Sequence, residues 1–146
     1  MKVWLDDIRD PRGWLPSVRW FRGRDVDELG EWTWARTAPE AIALLEGGTV
    51  DEVSLDHDLG DEPGAGDGYD ILLWIGERTA TDDSYRPPTI HVHTSNACVR
   101  DRMESAVHAI EAMVERGSVH RPRNPTASVA RSVASESADQ IPKGKA

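Results

Sequence analysis

Three short stretches of this chain place acids, imidazoles and hydroxyls where chemistry can be done. Asp6 and Asp7 follow the apolar run Lys2–Leu5. Asp56, His57 and Asp58 follow the run 50–55, and His93, Thr94, Ser95 and Asn96 close the run 89–93. Each run reads as a short buried strand. In open parallel sheets ligands bind beyond the carboxyl ends of the strands, so the three stretches are expected on one rim. Carboxylates crowded there repel one another, and desolvation adds to the cost. A divalent cation relieves both. Oxygen ligands suit Mg²⁺ or Mn²⁺, and an added imidazole moves the preference towards Mn²⁺, Fe²⁺ or Zn²⁺. The expected ligands are Asp6, Asp7, Asp56 and Asp58. The competing reading is that these acids cap helices and solvate loops.

Other groups near the rim carry two readings each. His91 and His93 lie two apart and share a strand face, with Thr94 turned the other way. His93, nearest the rim, is a ligand or general acid/base whose ordinary pKa of about 6.5 suits proton transfer. Its alternative is a core histidine satisfied by hydrogen bonds. His57 is a second proton-transfer candidate. Arg9 suits bidentate phosphate binding or a salt bridge to a nearby acid. Thr94, Ser95 and Asn96 are candidates to orient substrate oxygens. Residues 60–68 make a hinged lid or a passive acidic loop. Trp32 and Trp34 stack a base or pack the core. Two motifs fail. His57-Asp58 follows a strand, unlike the helical His-Asp phosphohydrolases. A calcium loop opening at Asp56 would need Gly at Asp61 and Glu at Asp67.

The elements that must hold these groups are legible in part. Strands are expected at Lys2–Leu5, around Trp32 and Trp34, at 50–55 and at 89–93. Helices are expected at 38–46, 68–79 and 97–116. Thr37 and Glu40 give the first a capping-box pattern, and Asn96 or Ser95 caps the last. The last has the stripe Val99, Met103, Val107, Ile110, Val114. Residues 10–31 hold Pro11, Gly13, Pro16, Gly23 and Gly30 and read as irregular, with one helical turn near 26–29. Strands alternating with helices predict a small parallel α/β sheet of about four strands with helices on both faces.

The chain has 146 residues and a net charge of -9, which argues against broad binding to DNA or RNA backbone. The charge is uneven. Residues 117–146 hold five basic and two acidic residues, +3, leaving -12 on residues 1–116. That basic tail, rich in Ser, Ala and Pro, is expected to be disordered and the α/β domain to span 1–116. The lone Cys98 forms no intrachain disulfide, and no apolar run suggests a membrane span, so a cytoplasmic protein is expected.

Leu5-Asp6-Asp7, Val53-Ser54-Leu55-Asp56 and Thr94 after a buried strand resemble the receiver domain of response regulators. That resemblance implies Asp56 as phosphoryl acceptor, Asp6 and Asp7 as metal acids and Thr94 as the hydroxyl on the phosphoryl group. A receiver has a fifth strand carrying a lysine, whereas here no strand is expected after Arg116, and Lys143 and Lys145 lie in a stretch without apolar context. Leu5-Asp6-Asp7-Ile8-Arg9, Arg36-Thr37-Ala38, Ser54-Leu55-Asp56-His57-Asp58-Leu59-Gly60, Gly66-Asp67-Gly68-Tyr69-Asp70 and Ile90-His91-Val92-His93-Thr94 with Asn96 are similar to a divergent branch, the cyclic-phosphate processing receiver domain. That likeness implies a metal-dependent domain that handles cyclic phosphates on RNA ends or nucleotides. The alternative is a degenerate phospho-accepting receiver that signals through a protein partner.

Overall fold

The computed structural model describes residues 1–120. Four strands form one parallel sheet: β1 (Lys2–Leu5), β2 (Trp32–Ala35), β3 (Glu52–Leu55) and β4 (Thr89–Val92), in the order β2-β1-β3-β4. The helices are α1 (Pro11–Trp14), α2 (Ala38–Glu46), α3 (Gly68–Thr81) and α4 (Ala97–His120). Thr37 Oγ1 caps α2 by accepting from Glu40 N, while the Glu40 carboxylate reaches back to Arg36 N. Asp67 and Asp70 form a reciprocal capping box at the start of α3. Asn96 Oδ1 accepts from Val99 N at the start of α4. Among the long helices α2 keeps the expected bounds, and α3 and α4 run on to Thr81 and His120. Residues 121–146, most of the expected basic tail, lie outside the described residues.

Alternation along the strands makes two unlike faces. Val3, Leu5, Ala35, Val53 and Leu55 turn to one side, where they pack with Ala41 and Leu45 of α2, Ile71 and Ile75 of α3, and Met103 and Ile110 of α4. The other face carries Lys2, Trp4, Trp32, Trp34, Glu52, Ser54, His91 and His93, in register across the sheet. No long helix covers it among the described residues. Its cover is α1 and three 3₁₀ turns at Leu15–Ser17, Arg19–Phe21 and Val26–Glu31, which bring Leu15 and Phe21 against Trp4 and Trp32. Prolines and glycines in this stretch stop a helix from propagating. The second face is therefore covered by short helical turns.

Polar groups at the start of the strands are closed by an ion-pair cluster. Arg24 bonds both Glu52 oxygens and Glu28, and Lys2 reaches Glu28 at 2.9 Å. His91 Nε2 meets Glu52 Oε1 at 2.7 Å, and the Trp20 ring stacks on His91 at 3.9 Å. Burial would raise the Glu52 carboxyl, but bonds from Arg24 and His91 overcome this and hold it at about 2. Its contribution to stability is present above the ordinary value of 4.5 and is lost as pH falls towards 2. Arg24→Ala is expected to cost about 2 kcal/mol at pH 7, by breaking a mostly buried pair. It should also move acid unfolding to higher pH. Urea titrations of both proteins from pH 7 to 3 measure the two effects.

Candidate functional site

The parallel register brings the strand ends to one rim. Asp6 N donates to Ala35 O at 3.1 Å, Asp56 N to Leu5 O at 2.9 Å and His93 N to Leu55 O at 2.9 Å. Ligand atoms of Asp6, Asp7 and Asp56 all lie within 4.8 Å of one another. Asp6 and Asp56 are buried, and Asp7 is half-buried.

The two buried carboxylates differ in their surroundings. Asp6 Oδ1 accepts from Ile8 N at 3.0 Å and Arg9 N at 2.8 Å, and Oδ2 meets His93 Nε2 at 3.2 Å. Burial alone would raise the Asp6 carboxyl, but these donors hold it below its ordinary range. Asp56 Oδ1 receives one backbone bond, from His57 N at 2.8 Å. Burial, then the Asp6 charge, pushes Asp56 up to about 6. The trio therefore needs positive charge, and Asp56 needs it most.

Among the described residues no lysine serves this end of the sheet. Lys2 is bound to Glu28 and Glu31 at the opposite strand ends. Arg9 is a nearby cation, with Nε 3.9 Å from Asp6 Oδ2 and its guanidinium 5.3 Å from the Trp14 ring, and Arg100 bonds Thr94 O at 2.7 Å. Three carboxylates with this charge imbalance fit a hard divalent cation, Mg²⁺ or Mn²⁺. The His93 imidazole is spent on Asp6, which removes the reason to prefer Zn²⁺.

The other expected site residues are placed unevenly. His93 lies with its side chain 0% exposed, Nδ1 on Ser54 Oγ at 2.7 Å and its ring stacked on Trp4 at 3.7 Å. It touches Asp6 rather than open space. His57 sits at the rim, its side chain 21% exposed, with Nδ1 on Asp58 Oδ1 at 2.9 Å and Nε2 3.6 Å from Asp67 Oδ2. The Asp58 carboxylate turns to His57 and is not brought into the trio. Thr94 is buried, and its hydroxyl oxygen accepts from Asn96 N at 3.3 Å. The Asn96 side-chain oxygen is committed to capping α4, and Ser95 is exposed.

Trp34 braces the site rather than offering a face for a base. It is half-buried and donates Nε1 to Asp6 O at 2.7 Å, so it braces the acidic turn. Trp32 is buried. Trp14 and Ser54, both near these groups, were not singled out by sequence reasoning.

The loop 60–68 is pinned. Asp58 and Asp67 form an antiparallel bridge, Gly68 N bonds His57 O at 3.0 Å and Ala38 N bonds Ala65 O at 2.8 Å. Gly60 has φ +79°, and a β-carbon there would stand 3.2 Å from Asp7 Oδ2. At Gly68 a β-carbon would fall 1.9 Å from the Asp56 carbonyl oxygen. Backbone must move to admit it, so Gly68→Ala is expected to cost about 3 kcal/mol in a chemical denaturation curve.

Raising the Asp56 carboxyl also sets a pH dependence. Its protonated form is favoured by the fold, so cation-free stability from this group rises as pH falls from about 6 towards 3.8. Thermal melts should show Mg²⁺ or Mn²⁺ raising Tm at pH 7.5 and much less at pH 5, where a proton competes. Asp56→Asn should abolish that difference.

No curated protein and no solved structure matches the chain. The family model of the cyclic-phosphate processing receiver domain matches residues 1–109, a span that contains all four strands and every acid of the rim. With that coverage and this parallel sheet, the chain belongs to the cyclic-phosphate processing receiver domain family.

Proposed function

We propose that the rim is a cation-dependent site that opens a cyclic phosphodiester, such as a 2′,3′-cyclic phosphate at an RNA end or on a nucleotide. The observation that carries this reading is the packing of three carboxylates with no lysine beside them among the described residues. Asp6, Asp7 and Asp56 are the groups that would hold Mg²⁺ or Mn²⁺. Such a cation, when bound, offsets charge on phosphoryl oxygens and lowers the pKa of water. Arg9 is half-buried beside the trio and offers guanidinium N–H groups to a phosphate oxygen.

Opening the ring adds water across one P–O bond. The water oxygen joins phosphorus and gives up a proton, and the departing ribose oxygen takes one. That transfer is assigned to His57, which is partly exposed, with Nδ1 oriented by Asp58 and Nε2 left to exchange the proton 3.6 Å from the Asp67 carboxylate. His93 is enclosed, so its part is to hold Asp6. Thr94 and Ser95 contribute hydroxyls at the end of β4. A cytoplasmic setting and a domain limit near residue 116 belong to the same proposal. No helix among the described residues is long and apolar enough to cross a membrane.

A second reading, phosphorylation of Asp56 as a signalling switch, is favoured by the place of Asp56 at the end of β3. It is opposed by Lys2 lying at the other strand ends. Incubating the full chain with a 2′,3′-cyclic nucleotide and Mg²⁺ or Mn²⁺ tests both. Turnover to a phosphomonoester is expected, lost in Asp56→Asn and reduced at least about tenfold in His57→Ala. If the cyclic nucleotide is untouched and a small phosphodonor leaves a stable covalent adduct that Asp56→Asn lacks, the hydrolytic reading is wrong and the switch stands.

A further inference from the structure

Beneath the rim lies a buried chain of polar groups whose hydrogen atoms can be assigned by inventory. The Trp20 indole N–H can only donate, and it lies 3.2 Å from Ser54 Oγ. Ser54 accepts there with one lone pair and keeps its hydroxyl hydrogen. At the other end the ionised Asp6 carboxylate can only accept, so Nε2 is the donor and Nδ1 of the neutral ring accepts the Ser54 hydrogen at 2.7 Å. A neutral imidazole that accepts at Nδ1 carries its hydrogen on Nε2. Nε2 then donates to Asp6 Oδ2, 3.2 Å away. Every bond points from the core towards the carboxylate. Trp4 stacks on the His93 ring at 3.7 Å with planes 7° apart, so the ring has little freedom to turn.

We propose that Ser54 is a positioning residue for the acidic site: its hydroxyl sets the tautomer of His93, whose Nε2–H holds the Asp6 carboxylate in the orientation that faces Asp7 and Asp56. The inference rests on the cation reading for its purpose and on geometry for its mechanism. Asp6 Oδ1 has two backbone donors, so Oδ2 is the oxygen left for the site, and the His93 bond fixes where Oδ2 points. Ser54 and the His93 side chain are both 0% exposed, so bulk water has no route to replace a missing hydroxyl. A carboxylate held from behind by an oriented imidazole needs less reordering when it takes a cation.

Nitrogen NMR of the histidine side chains in the cation-free full chain at pH 7.5 tests the mechanism directly. His93 is expected as the Nε2–H tautomer in the wild type and as a mixture in Ser54→Ala. Mn²⁺ affinity by calorimetry should fall about tenfold in Ser54→Ala, the scale of losing a group that orients a ligand. Ser54→Thr, which keeps a hydroxyl, should restore both. A merely structural Ser54 would lower Tm and leave tautomer and affinity unchanged, and that result overturns the proposal. So does an Nδ1–H or doubly protonated His93 in the wild type, a measurement that stands even if Ser54→Ala does not fold. A wild-type chain that binds neither Mg²⁺ nor Mn²⁺ overturns the cation reading instead, and leaves the role of Ser54 without a site to serve.

Discussion

Repulsion among three carboxylates at the ends of adjacent parallel strands is the constraint that organises this molecule. The backbone ladder enforces it. With Leu5 paired to Leu55, the next residues, Asp6 and Asp56, emerge side by side, and Asp7 follows. The protein offsets half of the problem. Three donors stabilise charge on Asp6, whereas Asp56 has one backbone bond and a charged neighbour. Burial acts on both acids, yet their proton affinities are driven apart because only one is well supplied with donors. The deficit left on Asp56 is what a cation would fill.

Supplying those donors shapes the face of the sheet behind the rim. Polar side chains buried without partners cost free energy, and this face carries Glu52, Ser54, His91 and His93 in a short span. Each finds a partner: Arg24 for Glu52, Glu52 for His91, Ser54 and Asp6 for His93. The flat indoles of Trp4 and Trp20 lie against the two imidazoles and exclude water without demanding further hydrogen bonds from the rings' faces. A regular helix would cover this surface with aliphatic side chains. The turns over residues 11–31 instead deliver tryptophan, phenylalanine and arginine at the positions the polar groups need.

Much of this was legible from local pattern. Strand ends rich in Asp and His, the cap at Thr37 and the stripe through Met103, Val107 and Ile110 each depend on neighbours in sequence, so their reading needs no tertiary knowledge. The sharing of one face by His91 and His93 follows from strand alternation for the same reason. The direction of His93 did not follow. Whether it meets solvent or core depends on Trp4 and Ser54, which are close only through sheet register. A usable signal was present: Lys-Val-Trp-Leu, Glu-Val-Ser-Leu and Thr-Ile-His-Val all alternate, marking one apolar and one polar face. Asp58 was equally hard to place, because its carboxylate has a choice between the trio and the adjacent imidazole.

The charge left around the rim bears on turnover under the proposed reading. Asp6, Asp7, Asp56 and Asp58 gather there with Arg9 as a near cation. A cyclic phosphodiester carries one negative charge. The monoester formed by opening it carries closer to two at neutral pH, since its second pKa is near 6. Acids outside the trio, Asp58 and Asp67, therefore repel product more than substrate. A lysine directed at the phosphoryl group would hold the product as it would hold a phosphorylated aspartate, and the one lysine among the described residues, Lys2, stays with Glu28 and Glu31 at the far strand ends. A site built to retain a phosphoryl group gains from that lysine. A site that must let a monoester leave gains from its removal, so the same basic arrangement of strands serves opposite ends depending on where one cation is placed.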